Sequence, residues 1–400
     1  MAAKPMPSAN MQVFAGVRND VAPEHMRLGE TTDMAAAANV DVNDAGRLRQ
    51  RDGYTEVVQA VGMHSLYPLS DGACLVMQDT QIKRISADAQ SIDTLSSGYT
   101  SGLTMRYADH NGLVYAMNGA EAVVYESGRI RRWGITRPTV PVVVATGGLM
   151  IPGKYAVALT YLDGNGRESG LSDPAEVTLT QQGGIEVSLV ANPSDRITRI
   201  RVYVTAADGS VFMVAGEIPN VARQFRIATP SASHPATTQY YDRPQAGHAL
   251  AIFRGRAYVA IENRIQYSAP FGLELFTPSD GFAMAERITM IAPAINGIYV
   301  SDTTGTYWLG GTNPKEFAPT KVGPPAFEGT LAFGTASNIT NLEGDAQIPV
   351  WLSKSGAVVG APGGSVVLPN DRFIPDQPSN AAALIKQAAD SFQFIVTTGA

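Results

Sequence analysis

One cysteine, Cys74, occurs in 400 residues, which excludes an intrachain disulfide and any cysteine-based zinc site. It sits in the apolar run Ala73-Cys-Leu-Val-Met77, where a free thiol acts as a small hydrophobe, so a buried strand residue is expected. Histidine is also sparse: His25, His64, His110, His234 and His248 show no short paired spacing, and a histidine metal site would have to be assembled by the fold. No hydrophobic run reaches membrane-spanning length, and the Met1-Ala-Ala-Lys-Pro start lacks the apolar core of a signal peptide. Synthesis and folding in the cytoplasm are expected. The nucleophile-elbow, P-loop and Rossmann glycine patterns are all missing, which removes the usual signatures of hydrolysis, nucleotide use and dinucleotide binding. Neither an enzyme nor a cofactor is expected.

Positive charge is in deficit, with 30 Lys and Arg against 36 Asp and Glu and a formal net charge of −6. A protein that grips nucleic acid does so by neutralising phosphates, so this balance argues against that class. The arginines that do cluster are Arg47, Arg49 and Arg51, alternating on one extended arm beside Asp52, and Arg129, Arg131 and Arg132. They are candidate subunit-interface residues pairing with acidic groups of a neighbour; the competing reading is a solvated face, because exposed ion pairs contribute little.

Helix signals are scarce, whereas 39 glycines, 25 prolines and many Val/Ile/Thr/Tyr-rich runs are those of short strands joined by turns. Two stretches read as the same module: Gly112-Leu-Val-Tyr-Ala-Met-Asn-Gly119 followed by Ala122 to Glu126, and Gly255-Arg-Ala-Tyr-Val-Ala-Ile-Glu262 followed by Arg264 to Ser268. Equivalent strands recur about forty residues apart, the spacing of four-stranded propeller blades. The expectation is an all-β chain: a β-propeller of about five or six blades, some incomplete, with an inserted immunoglobulin- or fibronectin-type III-like β-sandwich. Its parts are an N-terminal arm and hairpin over 1–60, a first propeller part over 61–136, the sandwich over 137–243 and a second propeller part over 244–400.

Within the arm, Asn43-Asp-Ala-Gly46 reads as a hairpin turn, and Gly29 to Ala38 has room for a short helix capped by Thr32 or Asp33. At the other end, Asn380-Ala-Ala-Ala-Leu-Ile-Lys-Gln-Ala-Ala389 reads as a helix, and Ser391 to Thr398 as a last strand able to close the ring with the strand near Arg47 to Val57.

Three local motifs bear on chemistry. Ser301-Asp-Thr-Thr-Gly-Thr-Tyr-Trp308 approaches the Asp-box hairpin of sialidase-type propellers, a fold element away from catalysis. Asp163-Gly-Asn-Gly166 with Glu168 resembles a calcium loop superficially but also has the composition of a hairpin turn. Glu274 with Asp280, or Asp371 with Asp376, are carboxylate pairs of the type a glycosidase needs. Together with Tyr307, Trp308 and Trp351 they keep a second reading open, a carbohydrate-binding or glycan-cleaving propeller such as a tail spike or adhesin.

Phe14-Ala-Gly-Val-Arg-Asn-Asp20, Ala38-Asn-Val-Asp-Val-Asn-Asp-Ala-Gly-Arg-Leu-Arg-Gln-Arg-Asp-Gly-Tyr54, Gly153-Lys-Tyr through Pro174 and Ile200-Arg-Val-Tyr203 resemble the tail tubular or nozzle proteins of tailed bacteriophages. That resemblance implies a virion tail protein: a homo-oligomeric ring, usually of six copies, docked on the portal or adaptor and other tail proteins. Genomic DNA would pass through the ring without specific binding, and no active site is implied. An acidic lumen suits such a conduit, since each phosphate captured by Lys or Arg would retard transit.

Overall fold

The β-branched and aromatic runs become strands in the computed structural model, which describes residues 13–26, 31–42, 46–51, 53, 55–230, 233–336, 346–369, 372–388 and 391–398. Strand β1 (Val13–Val17) pairs in parallel with β2 (Thr31–Met34), and β3 (Val40–Val42) pairs antiparallel with β4 (Leu48–Gln50). A four-stranded antiparallel meander follows in β5 (Met63–Pro68), β6 (Cys74–Gln78), β7 (Gln81–Ile85) and β8 (Ile92–Ser97). A second is made by β9 (Arg106–His110), β10 (Leu113–Met117), β11 (Ala122–Glu126) and β12 (Arg129–Arg132).

Seven strands then form two sheets: β13 (Val142–Met150), β14 (Gly153–Asp163), β15 (Ala175–Leu179), β16 (Gly183–Ser188), β17 (Ile197–Val204), β18 (Met213–Pro219) and β19 (Gln224–Ile227). The sheet orders are β13-β16-β19 and β15-β14-β17-β18. Three further four-stranded sheets run in sequence order. They are β20 (Ala249–Phe253), β21 (Arg256–Ile261), β22 (Arg264–Ala269) and β23 (Gly272–Ala283); β24 (Ile288–Ala294), β25 (Gly297–Asp302), β26 (Gly305–Gly310) and β27 (Thr320–Gly323); and β28 (Ala332–Thr335), β29 (Gln347–Ser353), β30 (Gly356–Gly360) and β31 (Val366–Val367). A hairpin of β32 (Ala381–Ala388) and β33 (Ser391–Thr398) ends the described chain.

The twin modules around Gly112 and Gly255 are thus matching hairpins. Their two-residue loops, Asn111-Gly112 and Arg254-Gly255, have positive φ throughout (50° and 78°, 48° and 71°). That is the turn whose twist matches the strands it joins, and glycine takes its second position without a Cβ penalty.

Two compact units emerge: Met1–Met105 with Glu262–Arg264 and Ala283–Ala400, and Arg106–Ile261 with Ile265–Phe282. The first is built on an aromatic core. Tyr299 on β25 lies 4.7 Å from Trp308 on β26 and 5.5 Å from Trp351 on β29, and both Tyr299 and Trp351 are fully buried. In the second unit the three-stranded and four-stranded sheets of β13 to β19 face each other across one apolar cluster. Ile185, Val187 and Ile227 from one sheet meet Val157, Leu159, Ile200 and Val202 from the other. A second cluster there joins two meanders, with Tyr115, Met117, Val124 and Trp133 against Leu250, Val259, Leu273 and Phe276.

Several expectations need correction. The alanine-rich segment expected as a helix over Asn380–Ala389 is β32. Helix propensity yields because Leu384 opposes Ile395 and Ile385 opposes Phe394, and Ile385 with Phe394 packs on Ile348, Val350 and Val359. The short helix expected within Gly29 to Ala38 is replaced by β2, whose ladder to β1 leaves Thr32 and Asp33 buried. Ring closure between Ser391 to Thr398 and Arg47 to Val57 does not occur as a shared ladder among the described residues, since β33 pairs with β32 and β4 with β3. The chain ends meet through side chains instead: Gln393 Nε2 donates to Asp41 Oδ2 (2.8 Å), while Asn19 donates Nδ2 to Ile374 O (2.8 Å) and accepts Ile374 N on Oδ1 (2.7 Å). Cys74 is half-buried rather than buried, at the start of β6, and burial pushes its thiol pKa up.

Trp351→Ala would leave a large cavity beside Tyr299. A loss of about 3–5 kcal/mol is expected, read as a lower urea midpoint for the transition of this unit.

Candidate functional site

Strand β14 carries a largely buried, mostly apolar run from Tyr155 to Leu162, broken by Thr160, and ends on Asp163, whose side chain is 2% exposed. Burying a carboxylate is costly unless hydrogen bonds and charge replace the water it loses. Its Oδ1 accepts the backbone amides of Asn165 (2.9 Å) and Arg167 (2.8 Å), closing the Asp163-Gly-Asn-Gly166 hairpin. Its Oδ2 accepts Arg196 Nε (3.0 Å), with Arg167 Nε at 3.6 Å.

The same two arginines reach Glu274 on β23. Arg196 Nη2 donates to both carboxylate oxygens (2.8 and 2.7 Å) and Arg167 Nη1 to Oε1 (2.9 Å). Arg167 Nη2 also pairs with Glu126 Oε1 at the end of β11. Three carboxylates and two guanidiniums therefore form one network, and the side chains of Arg196 and Glu274 are 7% and 11% exposed. Burial works to lower the Arg167 pKa, but the hydrogen bonds and charges of Glu274 and Glu126 outweigh it and the net direction is up. Tyr115 beside the network has its phenol pushed up to about 12, first by burial and then by Glu274.

The calcium-loop reading does not hold. Asp163 is committed to its turn and to Arg196, and Glu168 is held by Arg201 Nη1 (2.5 Å), Thr160 Oγ1 (2.6 Å) and Tyr203 OH (2.7 Å). Among the described residues no group of three or more His, Cys, Asp or Glu is placed to hold a metal ion.

The glycosidase pair Glu274 and Asp280 also fails on geometry. Six residues apart on the continuous strand β23, they are separated by roughly 20 Å at about 3.3 Å per residue, well beyond the spacing of paired catalytic carboxylates. Asp371 lies outside the described residues.

The Asp-box likeness is a fold element. Asp302 Oδ1 accepts Thr304 N (2.8 Å), Thr304 Oγ1 (2.6 Å) and Gly305 N (3.1 Å), fastening the turn between β25 and β26. Trp351 is buried in the core around Tyr299, and the half-buried Trp308 packs against Tyr299.

Of the candidate interface arginines, Arg47, Arg49 and Arg51 are exposed at and around β4, and Arg49 lies opposite Asp41 on β3. Arg51 donates to Asp41 Oδ1 through Nε (3.0 Å) and Nη2 (2.7 Å), which holds that carboxyl below its usual range. Asp52 lies outside the described residues. The second set does not form one patch: on β12, Arg129 and Arg131 share one face and Arg132 takes the other. The carbonyl of Arg132 accepts Arg196 Nη1 (3.4 Å), and burial, then the charge of Arg132, lowers the Arg243 pKa.

An open groove of about 670 Å³ lies in the same unit, with Phe212 and Leu171 below and Tyr240, Tyr241 and Pro278 along it. Arg137 is fixed there by bonds to Leu171 O (2.6 Å) and Asp173 Oδ1 (2.9 Å), while Tyr240 is 76% exposed.

No family model matches this chain, and no curated protein does. Among solved structures the chain is similar to BBS1N in complex with ARL6DN, at 10% identity over 87% of this chain and 94% of that one, with a TM-score of 0.35. It is also similar to Hsv2 of Kluyvelomyces marxianus (8% identity, 84% and 89% covered, TM-score 0.30) and to apo AztD from Citrobacter koseri (14%, 84% and 90%, 0.28). Likenesses this loose bear on neither function nor partners. Among the described residues no helix is long and apolar enough to cross a membrane.

Glu126, Arg167 and Arg196 do not stand out in the sequence because the side-chain hydrogen bonds that join them to one another, to Asp163 and to Glu274 span 33 to 107 positions. The one local signal was a charged residue, Asp163, ending a largely buried, mostly apolar run. Glu274→Gln would leave two guanidiniums undercompensated and is expected to cost about 3–5 kcal/mol, measured by denaturant unfolding. A second expectation concerns alkaline pH. Burial raises the phenols of Tyr115, Tyr203 and Tyr258 from 10.0 to about 12, so the folded state keeps protons that the unfolded chain releases. Their contribution is complete below pH 10 and is lost between pH 10 and 12; Tyr115→Phe should reduce that slope by about 1.4 kcal/mol per pH unit, read from unfolding across this range.

Proposed function

We propose that this protein is a structural component of a bacteriophage virion tail, a nozzle or tail-tube-like ring docked to the portal-adaptor or tail and forming a conduit for genome ejection. On this reading the five meanders are propeller blades and the paired sheets between β12 and β20 are an immunoglobulin- or fibronectin-type insertion.

The observation that carries the proposal is where the family-like residues lie. The block from Gly153 to Pro174, with Ile200 to Tyr203, supplies β14, β17 and the Asp163–Arg167 turn that ties the sandwich to two meanders. The block from Phe14 to Asp20 includes Asn19, which joins the start of the chain to residues near its end. These segments are spent on rigidity and on joining distant parts, as suits a scaffold that must hold its form while DNA passes. A net charge of −6 is compatible with transit, because few phosphates would be captured.

A carbohydrate-binding reading retains one supporting observation, the groove that sets exposed Tyr240 beside Gln239 and Asp173. Native mass spectrometry and electron microscopy of purified particles test the first reading: a six-membered ring recovered within virions is expected. A chain absent from particles, with glycan-array binding lost in Tyr240→Ala, would replace it with the second.

A further inference from the structure

The sandwich has four edge strands, β13, β15, β18 and β19. Three carry charge, Glu176 on β15, Glu217 on β18 and Arg226 on β19, as is usual where an open ladder must be kept from pairing. Strand β13 carries none, and from Pro138 through Gly153 the chain has no charged residue at all.

Its side chains are as unusual. Across the outer face, Gln224 and Arg226 on β19 sit beside Ser188 and Glu186 on β16, which in turn oppose Val142 and Val144 on β13. Polar character thus fades toward the edge, where Val142 is 65% and Val144 53% exposed, with Val140 exposed just before them. Among the described residues β13 pairs only with β16, so its outer ladder side is open. The open stretch is bounded by Pro141, which has no amide hydrogen to donate, and by the register shift between Thr146 and Met150. Residues 142–146 remain.

We propose that β13 is a self-association edge, pairing antiparallel with β13 of a second copy about a two-fold axis near Val144. A second copy fits the pattern of charge: any of the other sandwich edges would bring a carboxylate or guanidinium against bare valines, whereas β13 against β13 brings none. The pairing continues the three-stranded sheet into one of six strands, sets the two Val144 side chains opposite each other and each Val142 opposite Thr146 of the other copy, and so removes apolar surface from water. It stands on this strand alone and is separate from the ring reading, because a two-fold contact joins two rings or two free copies and not neighbours within a ring whose copies all face one way.

Native mass spectrometry of the full chain tests it against two variants. Val142→Lys/Val144→Lys puts like charges on the exposed face and should halve the copy number, with circular dichroism unchanged. Val144→Cys in a Cys74→Ser background should form a disulfide-linked pair on mild oxidation, since directly opposed strand residues have Cα atoms about 4.5–5.5 Å apart. Both results support the pairing. A copy number unmoved by the lysines overturns it and leaves the ring reading standing; a monomeric wild-type chain overturns both.

Discussion

The grip of Arg167 and Arg196 on Glu274 is the interaction on which the second unit depends. A carboxylate at 11% exposure is tolerable only where charge and hydrogen bonds replace the water it has lost, and here two guanidiniums do so. The participants come from the turn after β14, the approach to β17, the end of β11 and the start of β23. None of these segments can move without exposing an unpaired charge to an apolar neighbourhood. The sandwich is therefore held to the meanders beside it by a directional lock, and the packing of Trp133 against Tyr115 and Phe276 works beside that lock.

The same economy of polar groups shapes the first unit. Asp302 is wholly buried, yet one of its oxygens takes three donors from its own turn, so a tight hairpin can lie against the core. Trp351, an aromatic ring that looks from sequence like part of a binding platform, fills the interior beside Tyr299, and Trp308 packs half-buried against the same tyrosine. What the surface retains is different: an open groove with one exposed tyrosine, and a strand edge without charge.

Much of the strand pattern was legible in the chain. Gly112 and Gly255 mark real two-residue hairpins because only certain residues accept two successive positive φ values, and that constraint is local. The alanine-rich segment near residue 385 reads as a helix because its own preference is helical, whereas its strand form depends on Phe394 and Ile348, contacts that lie beyond local sequence. The charge network was illegible for a stronger reason. Arginine and glutamate are ordinary surface residues by composition, and only burial beside one another makes them a structural centre.

By itself, then, the sequence determined the all-β class, the recurring hairpins, the absence of a disulfide and the acidic balance, because each follows from residue type or from spacing of a few positions. Only the tertiary structure decided that Asp163 and Glu168 serve arginines rather than a metal, that Trp351 is core, and that β13 lies at an edge. Those outcomes depend on which distant groups share a low-dielectric interior and which strand has no neighbour, and neither is encoded at short range.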